Sequence, residues 1–89
     1  MLKMRLLVTG GSGFIGTNLM AHFLAKNVEV INLDWNPPLN PVHAPWWKLC
    51  DIMDEKRMGD LFREFKPTHV VHLAARADTD EPIEILAYQ

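Results

Sequence analysis

Short apolar runs alternate along this chain with longer stretches of helical spacing, and the alternation predicts strands and helices in βαβ order. The run Met4-Arg5-Leu6-Leu7-Val8-Thr9 has the length of a strand and stops at a glycine. Residues 14–26 carry Ile15, Leu19 and Phe23 at i, i+4 and i+8, which predicts a helix with that stripe against a sheet and Asn27 as its stop. A second strand follows over 28–33 and a short third one over 48–50. Residues 54–65 set Met58, Leu61, Phe62 and Phe65 on one helical face, with Glu55, Lys56, Asp60, Arg63 and Glu64 on the solvated side. Pro67 ends that helix, and 68–74 is a Val-rich fourth strand of the kind buried on both faces. Asp80-Glu81-Pro82 has the signature of another helix start, with Asp80 as N-cap and proline in the first turn, running on to Gln89.

Right-handed crossovers applied to this order give a parallel sheet in the spatial order 3-2-1-4, an α/β architecture of the doubly wound type. Strand four is then an outer edge, with free N–H and C=O groups that invite pairing with another chain. The winding direction reverses between strands one and four. Open α/β sheets bind ligands at such a switch point, beyond the strand C-termini, and residues 10–16 and 73–76 both fall there.

The first of those segments carries candidate chemistry. In Thr9-Gly10-Gly11-Ser12-Gly13-Phe14-Ile15-Gly16 an apolar strand runs into glycines spaced G-x-x-G-x-x-G and then into a helix, the layout of a phosphate-binding βα turn. Gly10 suits the sharp reversal and Gly13 a close approach of backbone to a pyrophosphate. Gly16 suits a helix lying close to the sheet, and the helix N-terminus offers unpaired donors to an anion. Ser12 reads as a phosphate contact rather than a nucleophile, having no general base beside it. Asp34 follows Gly16 at roughly the 20-residue spacing of such fingerprints, where a carboxylate accepts hydrogen bonds from an adenosine ribose.

These residues resemble the glycine motif of the extended short-chain dehydrogenase/reductase family, whose members include NAD-dependent nucleotide-sugar epimerases and dehydratases. Cys50-Asp51-Ile52-Met53-Asp54 resembles that family's D-[IVL]-x-D segment after the third strand, which places Asp51 and Ile52 beside the adenine. His69-Val70-Val71-His72-Leu73-Ala74-Ala75 resembles its fourth strand, ending in H-L-A-A along the cofactor. The resemblance runs from Leu6 to Ala75 and implies the N-terminal half of a Rossmann-type doubly wound sheet. It implies NAD as cofactor, held by Gly10, Ser12, Gly13, Phe14, Ile15, Gly16, Asp34, Asp51, Ile52, Leu73, Ala74 and Ala75. For the full-length protein it implies a homodimer acting on a nucleotide sugar, while the lone cysteine and the short N-terminal apolar run point to the cytoplasm. An acidic Asp34, with no Arg or Lys at Gly11, Ser12, Trp35 or Asn36, favours NAD over NADP through repulsion of a 2′-phosphate.

The same resemblance bounds the catalysis. The family uses a Tyr-x-x-x-Lys pair with a Ser or Thr, in the later half of the domain. The single tyrosine here is Tyr88, with one residue after it, so no catalytic residue is carried over. Residues 1–89 are expected to be a partial dinucleotide-binding domain, truncated before the catalytic half, inactive alone and unstable as a monomer. Two other readings stay open: a non-catalytic NAD(P)-binding module, and an extended reductase acting on a steroid or aldehyde.

Composition narrows partners without adding chemistry. At 89 residues the chain is one small domain or part of a larger one, and a net charge of −2 gives no basic field for nucleic acid. No apolar run approaches the roughly 20 residues that cross a bilayer, and the N-terminal apolar run is too short for a signal peptide. The lone Cys50 reads as a small buried hydrophobe. His22, His43, His69 and His72 lack metal-ligand spacing and read as structural or solvated. Residues 35–47 hold Pro37, Pro38, Pro41, Pro45 and all three tryptophans, which predicts an extended, partly pinned loop in place of a long helix. Trp35 either flanks an adenine or joins Trp46 and Trp47 in covering the sheet edge. Arg76 and Asp78, just past strand four, are candidates to face the crevice, Arg76 for substrate or phosphate.

Overall fold

The structure, a computed structural model, describes residues 3–74 and 84–87. Five strands form one sheet: β1 (Arg5–Thr9), β2 (Glu29–Asp34), β3 (Trp47–Leu49), β4 (His69–His72) and β5 (Glu84–Ala87). Their order is β3-β2-β1-β4-β5. The first four are mutually parallel, with Val8 level with Asn32 on one side and Val71 on the other. The expected order 3-2-1-4 is therefore present.

Two helices cover opposite faces. Helix α1 (Phe14–Ala25) packs over Leu6, Val8, Val30 and Val71 through Met20, with Leu19, Phe23 and Leu24 around it. Helix α2 (Glu55–Phe65) packs over Leu7, Leu33, Cys50 and Val70 through Leu61, flanked by Met58, Phe62 and Phe65. The alternation of β1 explains this: Leu6 and Val8 point one way and Leu7 the other, so three consecutive apolar residues serve both cores. Both helices stop as their sequences indicate. Asn27 takes a left-handed φ of 58° after α1, and Lys66 one of 53° after α2, just before Pro67. The Asp54 side chain caps α2 by accepting the Arg57 N–H at 3.0 Å. Arg5 ties the end of α2 to β1: its Nε donates to the Phe65 carbonyl, its guanidinium lies over the Phe65 ring, and it pairs with Glu29.

Three expectations need correction. The stripe Ile15, Leu19 and Phe23 does share a face, but Ile15 is 59% exposed, and Gly16 and Met20 are the residues α1 buries. Residues 84–87 are a strand, not helix, and β5 pairs antiparallel with β4, bringing Leu86 level with Val70 and Ile85 with Val71. Strand β4 is therefore not the outer edge. A parallel crossover needs a dozen or more residues, whereas an antiparallel return needs few, and β5 begins roughly a dozen residues after β4. The open β4 edge outweighs the local capping signal at Asp80, which itself lies outside the described residues. Third, the proline-rich segment is not wholly extended. A 3-10 helix runs over Pro41–Trp46, capped by the Asn40 side chain, which accepts the Val42 N–H at 3.0 Å. Its tight turn accommodates Pro45 in a short piece, as a long α-helix would not.

Candidate functional site

The C-terminal ends of β1, β2 and β4 converge on a cleft of about 520 Å³. Its lining joins Gly10, Ser12 and Gly13 of the glycine turn to Asp34, Trp35 and Asn36 after β2, and to Asp51, Ile52 and Met53 after β3. Ala74, just past β4, completes it. The cleft sits at the switch point where a doubly wound sheet receives its ligand.

The turn is built by the strand ends. Gly10 leaves β1 with φ of 75°, and its N–H donates to the Leu33 carbonyl at 2.9 Å. A Cβ there would stand 2.6 Å from the Ala74 nitrogen, so the turn and the segment after β4 touch backbone to backbone. Thr9 locks that junction. Its carbonyl accepts the Leu73 and Ala74 N–H groups, and its hydroxyl bonds His72 Nδ1 at 2.6 Å. A Cβ on Gly16 would meet Gly11 Cα at 2.4 Å, so Gly16 brings α1 against the turn itself rather than against the sheet.

Gly13 is different. A Cβ there would meet only the Gly10 carbonyl oxygen, at 3.7 Å, so no intrachain packing requires glycine at this position. The space over Gly13 belongs to the cleft. Gly13 is the N-cap of α1, and no side chain caps the helix, which leaves first-turn donors unclaimed by a cap. An open cradle, bare amides and a helix N-terminus together suit a pyrophosphate.

Asp34 lies against the turn at the cleft wall and is 8% exposed. Its Oδ2 accepts the Ser12 N–H at 3.0 Å and its Oδ1 the Asn36 N–H at 2.9 Å. Each oxygen keeps further acceptor capacity for a ribose hydroxyl. The Asp34 carbonyl accepts from Trp47 Nε1 at 2.8 Å and from the Cys50 N–H at 3.1 Å, which fixes the end of β2 to β3. Asp51 folds its carboxylate onto the Met53 N–H at 2.9 Å and so shapes the far wall. Burial pushes the Cys50 thiol above its ordinary pKa, with the Arg57 charge opposing, so Cys50 stays protonated and inert as expected of a buried hydrophobe.

The cleft thus brings together Gly10, Ser12, Gly13, Asp34, Asp51, Ile52 and Ala74 of the sequence-derived set. Phe14, Ile15 and Gly16 stand at the start of α1 and offer backbone rather than side chains; the Phe14 ring is 79% exposed. Leu73 packs instead against the α1 core. Ser12 is buried, with its N–H on Asp34 and its hydroxyl donating to the Asn36 carbonyl at 2.8 Å. Ala75, Arg76, Asp78 and Tyr88 lie outside the described residues. Trp47 links β3 to the end of β2 through its bond to the Asp34 carbonyl, whereas Trp35 is 70% exposed on the cleft wall. The sequence reading missed Asn32, a buried amide that bonds both Gly11 and Ser12. Its signal was a polar residue amid the apolar run of β2.

Comparison with known proteins agrees with this geometry. The family model described as "NAD dependent epimerase/dehydratase family" matches residues 6–88. A probable dTDP-glucose 4,6-dehydratase from Sinorhizobium fredii is 35% identical over 89 residues, covering 90% of this chain and 25% of the relative. The UDP-glucose 4-epimerase of Thermus thermophilus, solved in complex with NAD, superposes with a TM-score of 0.72 at 42% identity, covering 83% of this chain and 25% of that one. The Bordetella bronchiseptica enzyme WbmG, also in complex with NAD, gives a TM-score of 0.74 at 35% identity, over 90% of this chain and 28% of its own. The chain spans about a quarter of the length of the curated relatives it matches. The family model covers nearly the whole sequence, and the chain belongs to the NAD-dependent epimerase/dehydratase family.

Proposed function

We propose that this chain is the NAD-binding portion of a longer nucleotide-sugar epimerase or dehydratase. The observation that carries the reading is the cleft itself, open over Gly13 and lined beside it by the Asp34 carboxylate. The first-turn backbone of α1 at Phe14, Ile15 and Gly16 holds the pyrophosphate, Asp34 the adenosine ribose, and Trp35, Asp51 and Ile52 the adenine. Ala74 lies along the cofactor toward the reacting end. Ser12 acts through the shape of the turn. When bound, NAD supplies a hydride acceptor and donor for a sugar carbon. The residues that move protons in that reaction, a Tyr-x-x-x-Lys pair in the family pattern, belong to a catalytic half beyond residues 1–89. A nucleotide-sugar substrate, a homodimer and a cytoplasmic location complete this reading of the full-length enzyme.

Titration of NAD and NADP into the protein as its gene encodes it tests the proposal. NAD should bind at least about tenfold more tightly, because the 2′-phosphate of NADP meets the Asp34 carboxylate with no cation among Gly11, Ser12, Trp35 and Asn36. Equal or tighter NADP binding would refute the ribose assignment. Turnover of UDP-glucose or dTDP-glucose by the same protein is the second readout; NAD binding without turnover of either would favour the binding module or another reductase.

A further inference from the structure

Strand β2 carries an amide where its pattern calls for a hydrocarbon. Val30, Asn32 and Asp34 alternate onto the β2 face that meets α1 and the glycine turn, and Asn32 is 1% exposed beside Val8 in the register. A buried amide is unfavourable unless its polar atoms are bonded. Both ends of Asn32 are. Its Oδ1 accepts the Gly11 N–H at 2.8 Å and its Nδ2 donates to Ser12 Oγ at 3.0 Å. The Ser12 hydroxyl donates in turn to the Asn36 carbonyl at 2.8 Å, and the Ser12 and Asn36 N–H groups close on the two oxygens of Asp34. A Cβ on Gly11 would lie 2.5 Å from Asn32 Oδ1, so the turn rests directly on the amide.

Resting on the NAD reading above, we propose that Asn32 is a positioning residue for the pyrophosphate half of the site. Asn32 does not line the cleft, yet it fixes the backbone at Gly11 and Ser12, immediately before the Gly13 cradle and the first turn of α1. Leucine at this position would bury as well as an amide does, and the polar atoms gain only what they hold in place. The adenosine half depends less on the link, since the Asn36 N–H still orients Asp34 and the walls at Trp35 and Ile52 are untouched.

Asn32→Leu, close in volume, removes both bonds; Ser12→Ala removes only the Nδ2 acceptor and the bond to Asn36. In the protein as its gene encodes it, NAD and adenosine binding are measured by calorimetry, with a thermal melt of each variant. Asn32→Leu should weaken NAD about tenfold or more while adenosine changes by less than about twofold, with Ser12→Ala in the same sense and smaller. Amide exchange at Gly11 should quicken in Asn32→Leu without ligand. Unchanged NAD affinity would overturn the proposal, and so would equal loss for NAD and adenosine, which marks general loosening. Should Asn32→Leu not fold, the same split read in Ser12→Ala decides. A wild type that binds no NAD would remove the underlying reading and this role with it, a result distinct from a wild type that binds and a variant that binds equally.

Discussion

A side chain on Gly10 would collide with backbone at Ala74, whereas one on Gly13 would enter the open cleft. The two glycines of one turn therefore separate stability from binding. Gly10→Ala, at a φ of 75° and with 2.6 Å to the Ala74 nitrogen, should cost about 2–4 kcal/mol in a urea melt. Gly13→Val keeps an extended N-cap backbone, φ −80° and ψ −179°, that valine adopts freely; its cost should be about 1 kcal/mol or less while NAD binding disappears. Retained NAD affinity in Gly13→Val would make the turn purely structural. Trp35 offers a second separation. Its ring is mostly exposed, so Trp35→Ala should shift stability by no more than about 0.5 kcal/mol. Loss of a ring stacked on the adenine should weaken NAD about three- to tenfold and remove ligand-induced fluorescence quenching. Undiminished affinity would return Trp35 to the role of a solvent-facing loop residue. At this scale the glycines and Asp34 stood out in the sequence by type and spacing, and Gly10, Gly13 and Asp34 line one cleft. Asn32 stayed hidden because its importance lies in two bonds to a turn some twenty residues away, which no local pattern encodes.

The elements were legible where one period dominated. The i, i+3, i+4, i+7 stripe of α2 places Leu61 in the core with Met58, Phe62 and Phe65 around it, and doubly apolar β1 serves both cores. Local signals set the ends of α2 and so should its energetics. Asp54→Ala removes the acceptor for the Arg57 N–H and should destabilise by about 1 kcal/mol, without change in NAD affinity. Lys66→Gly relieves a left-handed φ of 53° on a non-glycine residue and should stabilise by up to about 1 kcal/mol. A loss of stability there would mean the Lys66 side chain contributes more than its backbone costs. Legibility failed where tertiary pairing competed with a local preference. The cap and proline at 80–82 signal a helix start, but residues 84–87 lie within reach of an unpaired β4 edge, and the ladder wins.

Over the whole molecule, two kinds of exposed surface compete to govern association. Pairing with β5 satisfies the β4 edge on which self-pairing would otherwise proceed, and moves the open edge outward to a four-residue strand. The other surface stays open. On the α1 side a groove of about 310 Å³ runs between α1 and the sheet, lined by Met4, Leu6, Ile15, Leu19, Phe23 and Val71 among others, with Ile15 at 59% exposure. On the α2 side a groove of about 180 Å³ mixes Leu61 and Phe65 with the charged Arg5, Lys48 and Glu64. Residues 1–89 expressed alone should therefore self-associate through the α1 face rather than by strand addition. Sedimentation should show mass rising with concentration. Met4→Glu, which sets a charge at the rim of the groove away from the cleft, should return the chain toward monomer with little change in NAD affinity. Deleting residues 84–89 should open a second mode of association by baring the β4 edge. A wild-type 1–89 chain that sediments as a monomer at all concentrations, with a cooperative urea transition, would mean that the two helices already cover enough of the sheet for this segment to stand alone.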